Sequence, residues 1–411
     1  MPPRLTIIGI NYAPESSGNA PYTTSLAEGM TALGWDVRVI TGFPHYPQWQ
    51  VYDGYEGQTL DEKQNGVGVL RLRHYVPHEP KLLNRLLMEV HFGVRAALTD
   101  WGRPDVVLFV NPGLFSSGVA ALRAKLGRRR PGTAIWIQDL YSRGLEEVHT
   151  SAAALAPVMR KVEGLVLRAM DRVIVIHDRF RRHAVNELGV APERALIHRN
   201  WSHITPQHAI DTAAVRERRG WAEDEVVVLH AGNMGVKQYL ENVVDAARLA
   251  DERDSRVRFV LLGAGNQLQR LKGLAEGIKS LEFIAPLPDE EYTAALAAAD
   301  ILLVNEKPEL REMCVPSKLT SYFATGRPVL AAVDDESSSA GEIESSGAGK
   351  VIASGDPAGL LQAAEELGAD RAVASDIGGR GPAYVAEHLA ADAAMRRWDD
   401  VLRSLTQHVR V

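Results

Sequence analysis

The sequence predicts an α/β protein of two domains, each built on a parallel sheet. Three observations lead there. The chain has 411 residues, and at roughly 100–200 residues per domain two domains are expected. Strand-like apolar runs alternate with helix-like stretches from end to end, the pattern of parallel βαβ units. The polar stretch "NWSHITPQHAIDTAA" (Asn200–Ala214) interrupts that rhythm and reads as a linker.

In the first half the strand runs are "LTIIGI", "DVRVIT", "VGVLRLR", "DVVLFV", "TAIWIQ", "RVIVI" and "ALIHR". β-branched runs of this length suit strands covered on both faces. Amphipathic stretches at Tyr22–Leu33, Leu82–Trp101 and Leu155–Ala169 supply the connecting helices. The second half continues with "VVVLHAG", "RVRFVLLG", "LEFIAP", "DILLVN", "RPVLAA" and "GKVIA". The tail "AAMRRWDDVLRSL" reads as one amphipathic helix. Two Rossmann-like sheets, facing each other across a cleft, are expected. Ligands of open parallel sheets bind beyond the carboxyl ends of the strands, so the loops after strands are where chemistry belongs.

Composition sets limits. The hydrophobic fraction is 45% and the charged fraction 24%, as in ordinary globular proteins. Net charge is −6, which gives no global drive toward nucleic acid. The first 200 residues carry an excess of five positive charges, and the remainder an excess of eleven negative ones. The positive excess is densest at "RAKLGRRRPG" (Arg123–Gly132), with "RKVEGLVLRAMDR" and "DRFRRH" adding to it. Such a half can approach an anionic surface, a membrane among them; an exposed basic face with no such partner fits the same residues. Cys314 is the one cysteine, so no internal disulfide forms. No apolar run nears the ~20 residues that span a bilayer, and the chain enters a strand-like run at once without a leader-like segment. A cytoplasmic protein, peripheral at the inner face of the plasma membrane, is the expectation.

Five loops are candidates. "INYAPESSGNAPYTTSLAEGM" (Ile10–Met30) joins the first strand to a helix through Gly18 and Asn19. Without a Cβ, Gly18 lets backbone N–H groups approach an anion; a plain surface turn reads as well. The dinucleotide fingerprint G-x-G-x-x-G and a ribose-binding acid after the second strand are both missing. That argues against a nicotinamide or flavin enzyme.

"HAGNMGVKQYLEN" (His230–Asn242) brackets a tight turn with Gly232 and Gly235, and Asn233 lies between them. Lys237 is expected to open the next helix, where its charge opposes the macrodipole unless a phosphate is held there. A solvated lysine is the other reading. "CVPSKLTSYFATGRPVLAA" (Cys314–Ala332) offers Ser317 as an N-cap and Lys318 in the first turn. Two cations and two helix starts suit a diphosphate leaving group.

"LLGAGNQ" (Leu261–Gln267) carries Gly263 in a strand-to-helix turn. "IQDLYSRGLEEV" (Ile137–Val148) places Asp139 just past a strand, fit to steer an acceptor hydroxyl, to act as a base, or merely to cap a turn. His45 in "FPHYPQW" is a further candidate for the acceptor side, or a structural histidine. No His/Cys cluster has the spacing of metal ligands, and no nucleophile elbow occurs.

In order and spacing these loops resemble family-4 glycosyltransferases of the GT-B fold, in particular the bacterial branch of colanic-acid and O-antigen sugar transferases. The resemblance also rests on "TGFPHYPQW", "WIQDLY", "DRVIVIHDRF", "HRNWSHI", "LPDEEY" and "VPSKLTSYFATGRPV", and it spans nearly the whole chain. It implies a retaining, metal-independent transfer, without a cofactor, from a UDP or GDP sugar to a glycan or polyprenyl-diphosphate-linked acceptor.

It also implies an acceptor domain over residues 1–200, a nucleotide-sugar domain over 215–389, and a last helix (390–411) packed back on the first domain. Lys237 matches the phosphate lysine, Gly18 the glycine loop at the donor phosphates, and Leu287, in "LPDEEY", the segment that meets the base. Two departures stand out. Asn233 occupies a position where many relatives have Arg. Met313, beside Glu312, and Ser321 occupy the positions of two glutamates, the second of which binds ribose. Lys318 is inferred to supply the missing positive charge. A GT-B nucleotide-sugar epimerase, a non-catalytic nucleotide-sugar sensor and a tandem oxidoreductase are the alternatives.

Overall fold

A computed structural model describes residues 2–16, 18–79, 81–127, 130–147, 155–201, 210–308 and 318–407. The chain divides into two compact units: residues 1–200 with 392–411, and residues 201–391.

In the first unit the strands are β1 (Arg4–Ile8), β2 (Asp36–Gly42), β3 (Thr59–Gln64), β4 (Val67–Leu72), β5 (Val106–Val110), β6 (Gly132–Ile137), β7 (Arg172–Val175) and β8 (Ala195–Ile197). They form one sheet in the order β3-β4-β2-β1-β5-β6-β7-β8. Every neighbouring pair is parallel except β3–β4. The apolar runs became the seven parallel strands. β3 ("TLDEKQ") escapes such a reading because it is a polar edge strand, alternately exposed and half-buried, with no apolar run to mark it. Its helices are α1 (Ala20–Ala32), α2 (Leu82–Leu98), α3 (Leu114–Leu126), α4 (Tyr141–Glu147), α5 (Ala156–Arg168) and α6 (Asp178–Asn186).

The second unit runs α7 (Thr212–Arg219), β9 (Val226–Asn233), α8 (Glu241–Glu252), β10 (Val257–Ala264), α9 (Leu268–Leu274), β11 (Leu281–Ile284), α10 (Asp289–Ala298), β12 (Ile301–Asn305), α11 (Lys318–Ala324), β13 (Val329–Val333), α12 (Ser338–Ser346), β14 (Gly349–Ala353), α13 (Pro357–Ala369) and α14 (Arg371–Tyr384). Its sheet, β11-β10-β9-β12-β13-β14, is parallel throughout. Apolar side chains from its two faces form two cores, one centred on Leu229 and Tyr322, the other on Phe259 and Leu303.

The last helix, α15 (Ala391–Thr406), packs on the first unit. Trp398 is fully buried and meets Trp136 and His198 edge-on at 4.8 and 5.1 Å. Trp35 Nε1 donates to Asp399 at 2.7 Å. Gly29 of α1 leaves the space that Met395 fills, since a Cβ there would overlap its sulfur.

Candidate active site

Strand order reverses in the second unit between β9 and β12, and at such a switch point a crevice opens past the strand ends. Here the opening is extended. β9 and β12 pair only at Val228↔Ile301 and Leu229↔Leu302. Beyond them the fully buried Tyr322 of α11 takes over: its hydroxyl accepts from Ala231 N at 2.8 Å and reaches Leu303 O at 3.5 Å. Burial holds its phenol protonated, well above the usual range.

Beside this tyrosine lies Lys318, whose Nζ is 3.2 Å from Nε2 of the fully buried His230. Burial of the ammonium lowers its pKa to about 8, opposed by the nearby Glu306 carboxylate. Burial, and then the charge of Lys318, push the His230 pKa well below the usual value, so the ring is neutral. Nε2 therefore accepts from the ammonium, and Nδ1 carries the ring proton. Glu306, also buried, accepts from Ser339 Oγ at 2.7 Å.

Glycines keep the floor of this crevice bare. Gly232 (φ +130°) and Gly263 (φ +138°) face each other in register at the ends of β9 and β10. A Cβ on Gly263 would overlap Gly232 O, and a Cβ on Gly232 would sit 3.4 Å from Lys318 Nζ. Both φ values are ones that L-residues rarely adopt. Gly232, Gly263, His230 and Lys318 thus converge on one spot.

Lys237 lies five residues past Gly232, in a single 3-10 turn, Val236–Gln238. It does not open an α-helix as expected. Tyr239 takes a left-handed φ of +44° and α8 starts at Glu241. The turn is nonetheless fixed: Asn305 Nδ2 donates to Gln238 O and Tyr239 O at 2.9 and 3.0 Å, and Asn242 Nδ2 donates to Asn305 Oδ1 at 2.8 Å. Lys307 N donates to Lys237 O. The Lys237 side chain is exposed, as is Asn233, while Ser321 and Leu287 are half-buried. Ser317 and Glu312 lie outside the described residues, as does Cys314.

In the first unit the strand order reverses between β1 and β5. Gly18 (φ +67°) is exposed, and Asn19 Nδ2 donates to Asn111 O at 3.3 Å, just past β5. The α1 start therefore sits at that switch point. Asp139 is half-buried in the turn after β6. His45 lies inside the unit, 1% exposed, with Nδ1 3.0 Å from Phe43 O and its ring edge-on to His74 at 4.9 Å. Among the described residues no cluster of three or more His, Cys, Asp or Glu is placed to hold a metal ion.

His230, Glu306 and Tyr322 were not singled out from the sequence. The signal for His230 was a polar residue inside a strand that is apolar up to it, "VVVLHAG". That for Glu306 was an acid directly after "ILLVN".

Residues 17–201 match the Glycosyl transferase 4-like domain, and residues 225–370 match Glycosyl transferases group 1. The colanic acid biosynthesis glycosyl transferase WcaI of Escherichia coli (strain K12) is 34% identical over 339 residues, 79% of this chain and 81% of that protein. The glycosyltransferase WbjE of Pseudomonas aeruginosa is 24% identical, over 70% of this chain and 72% of its own. Among solved structures, sucrose-phosphate synthase of Thermosynechococcus elongatus superposes with a TM-score of 0.75 at 18% identity, over 99% of this chain and all of its own. Anabaena Alr3699/HepE in complex with UDP and glucose gives 0.70 at 15% identity, over 98% and 100%. With both halves matched in order, and a relative at this identity spanning most of both proteins, the chain belongs to the group 1 glycosyltransferases of the GT-B fold, alongside the colanic-acid type sugar transferases.

Proposed function

We propose that this chain moves a sugar from a nucleoside diphosphate sugar, with retention and without a metal or cofactor, to a glycan or polyprenyl-diphosphate-linked acceptor in cell-surface polysaccharide synthesis. The observation that carries this reading is the Lys318 ammonium held over the bare backbone at Gly232. A diphosphate is the chemistry such a spot suits: a cation, and glycines that admit close approach of an anion.

As the sugar–phosphate bond breaks, charge grows on the diphosphate. Lys318 and Lys237 stabilise it there, an effect aimed at charge that develops only in the transition state. The resemblance puts Leu287 in the segment that meets the base, and Ser321, on the same helix as Lys318, at the position of the glutamate that binds ribose. For the first unit, the resemblance assigns Gly18 and Asn19 to the family's glycine loop, and Asp139 to the acceptor's proton, a role open also to the departing phosphate. The relatives support a place in polysaccharide synthesis, WcaI in colanic acid biosynthesis and the structurally similar WaaG in lipopolysaccharide biosynthesis. UDP is the first donor nucleotide to try, since Alr3699/HepE was crystallised with it; GDP is the second.

The membrane part of the reading has its own observation. Leu83, Leu87, Val94 and Leu98 are all exposed on α2, at spacings that put them on one stripe. Leu122 and Leu126 of α3, and Val158 and Leu165 of α5, are exposed too. Lys161 of α5 is exposed among them, while Arg123, Lys125, Arg160 and Arg168 also bond within the unit, to Thr99 O, Asp171, Glu187 and Leu188 O. Apolar side chains interleaved with cations suit the headgroup region of an anionic bilayer. Among the described residues no helix is long and apolar enough to cross a membrane.

Purified protein incubated with UDP- and GDP-sugars and a lipid-linked acceptor should release the nucleoside diphosphate only when the acceptor is present. An isomerised sugar from donor alone would replace this reading with the epimerase. Binding without turnover on any acceptor would replace it with the sensor. Flotation with anionic against neutral vesicles tests the docking face: binding should require anionic lipid, and recovery equal to that with neutral vesicles would remove it.

A further inference from the structure

We infer that His230 is a positioning residue: its buried imidazole holds the Lys318 ammonium at the Gly232–Gly263 floor of the crevice. The inference rests on the diphosphate reading of that crevice. His230 occupies the β9 position at which the β9–β12 ladder has just ended. Its side chain is fully buried, and Nε2 is 3.2 Å from Lys318 Nζ. A lysine side chain is long and flexible, with three donors that turn freely. One fixed acceptor at its tip removes most of that freedom. A carboxylate in the place of His230 would fix it too, but would cancel the charge a phosphate needs. A neutral imidazole orients the ammonium and leaves its full charge for the ligand.

The other groups at this spot fit that division. Glu306 lies near enough to favour the charged ammonium, and its carboxylate accepts from Ser339 Oγ. Tyr322 spends its hydroxyl on Ala231 and Leu303. Among the described residues the ammonium's direct partner is Nε2 of His230. The low pKa of Lys318, about 8, makes the device proton-linked: it is charged at neutral pH and loses its charge just above.

Two variants test this. His230→Gln keeps an acceptor near the Nε2 position, and His230→Leu removes it with little change of volume. The first readout needs no ligand: the titration midpoint of Lys318, followed by NMR with ¹³C-labelled lysine and assigned with Lys318→Met. In His230→Leu the midpoint should fall by half a pH unit or more, because the ammonium loses its acceptor. His230→Gln should stay close to the parent. The second readout is UDP affinity by calorimetry at pH 7, with GDP as a second arm. His230→Leu should weaken it about tenfold and His230→Gln no more than twofold.

An unchanged midpoint in a folded His230→Leu protein would overturn the inference. So would UDP affinity equal to that of the parent. If neither UDP nor GDP binds the parent protein, the diphosphate reading fails instead, and the ligand-free titration still decides the role of His230.

Discussion

The two units share a fold but treat the backbone amides at their strand ends in opposite ways. In the first unit the protein supplies its own anions. Buried Glu15 accepts from His45 N and Tyr46 N at 2.7 and 2.8 Å. Buried Glu89 accepts from Phe115 N at the start of α3 and from Tyr141 Oη. Fully buried Glu163 accepts from Tyr141 N, Ser142 N and Ser142 Oγ at the start of α4. His177 caps α6. Of the helices that directly follow β1, β5, β6 and β7, α1 is the one whose first-turn amides meet no side-chain acceptor among the described residues, and Gly18 and Asn19 sit there.

In the second unit, α8, α9 and α10, which follow β9, β10 and β11, begin without a side-chain cap. Those at the far edge, α12 and α13, are capped by Ser337 and Asp356. The uncapped starts thus lie on the β11-β10-β9 side of the sheet and the capped ones on the β13-β14 side. A helix start that needs an acceptor takes one from the chain or from a ligand, and the two units have divided these solutions between them.

That contrast predicts which substitutions break the fold and which break the chemistry. Glu163→Ala strands three donors inside the first unit. It should cost about 4 kcal/mol of stability, at one to three per buried unsatisfied group, read by denaturant unfolding. Lys318→Met should do the reverse. It should slow sugar transfer at least a hundredfold, about 3 kcal/mol of barrier, while the melting temperature holds or rises because a buried charge is gone. Equal losses of stability in both variants would erase the distinction.

Acidity and alkalinity should separate the units as well. Burial lowers the pKa of Lys318 from 10.5 to about 8. Between those values the unfolded chain binds the proton and the folded one does not, so this group's contribution to stability improves as pH rises from 8 toward 10.5. Donor affinity should move the other way, falling several-fold from pH 7 to pH 9. In the first unit, burial lowers His74 to about 3 and His198 to about 4 from 6.5. There the unfolded chain takes up protons first, so stability should fall as pH drops below 6.5. A pH series of unfolding curves, with His198→Phe blunting the acid limb, checks the sign. The smallest effect is expected from Leu87→Gln with Leu98→Gln on the α2 stripe: a stability change within about 0.5 kcal/mol, as for exposed sites, but weaker recovery with anionic vesicles.

Much of this was legible in the sequence. Thirteen of the strands carry largely apolar runs, and β3 was hidden because a solvated edge strand needs none. Lys318 and the glycines of "HAGNMG" and "LLGAG" were readable as loop residues after strands. Their convergence was not, because it depends on which strands are neighbours: β9 beside both β10 and β12. The α-helix expected at Lys237 failed on one residue, Tyr239, whose left-handed backbone is set by Asn305 sixty-six positions away. His230 was invisible for the same reason. A histidine inside an apolar strand says nothing until the lysine that it meets is known.

The placement of α15 reaches into biosynthesis. The second unit is complete once Ala391 has been made, whereas the first must wait for Trp398 to cover Trp136. On the ribosome, then, the unit made earlier is the later to be sealed, and loss of the segment that carries Trp398 would harm that unit first.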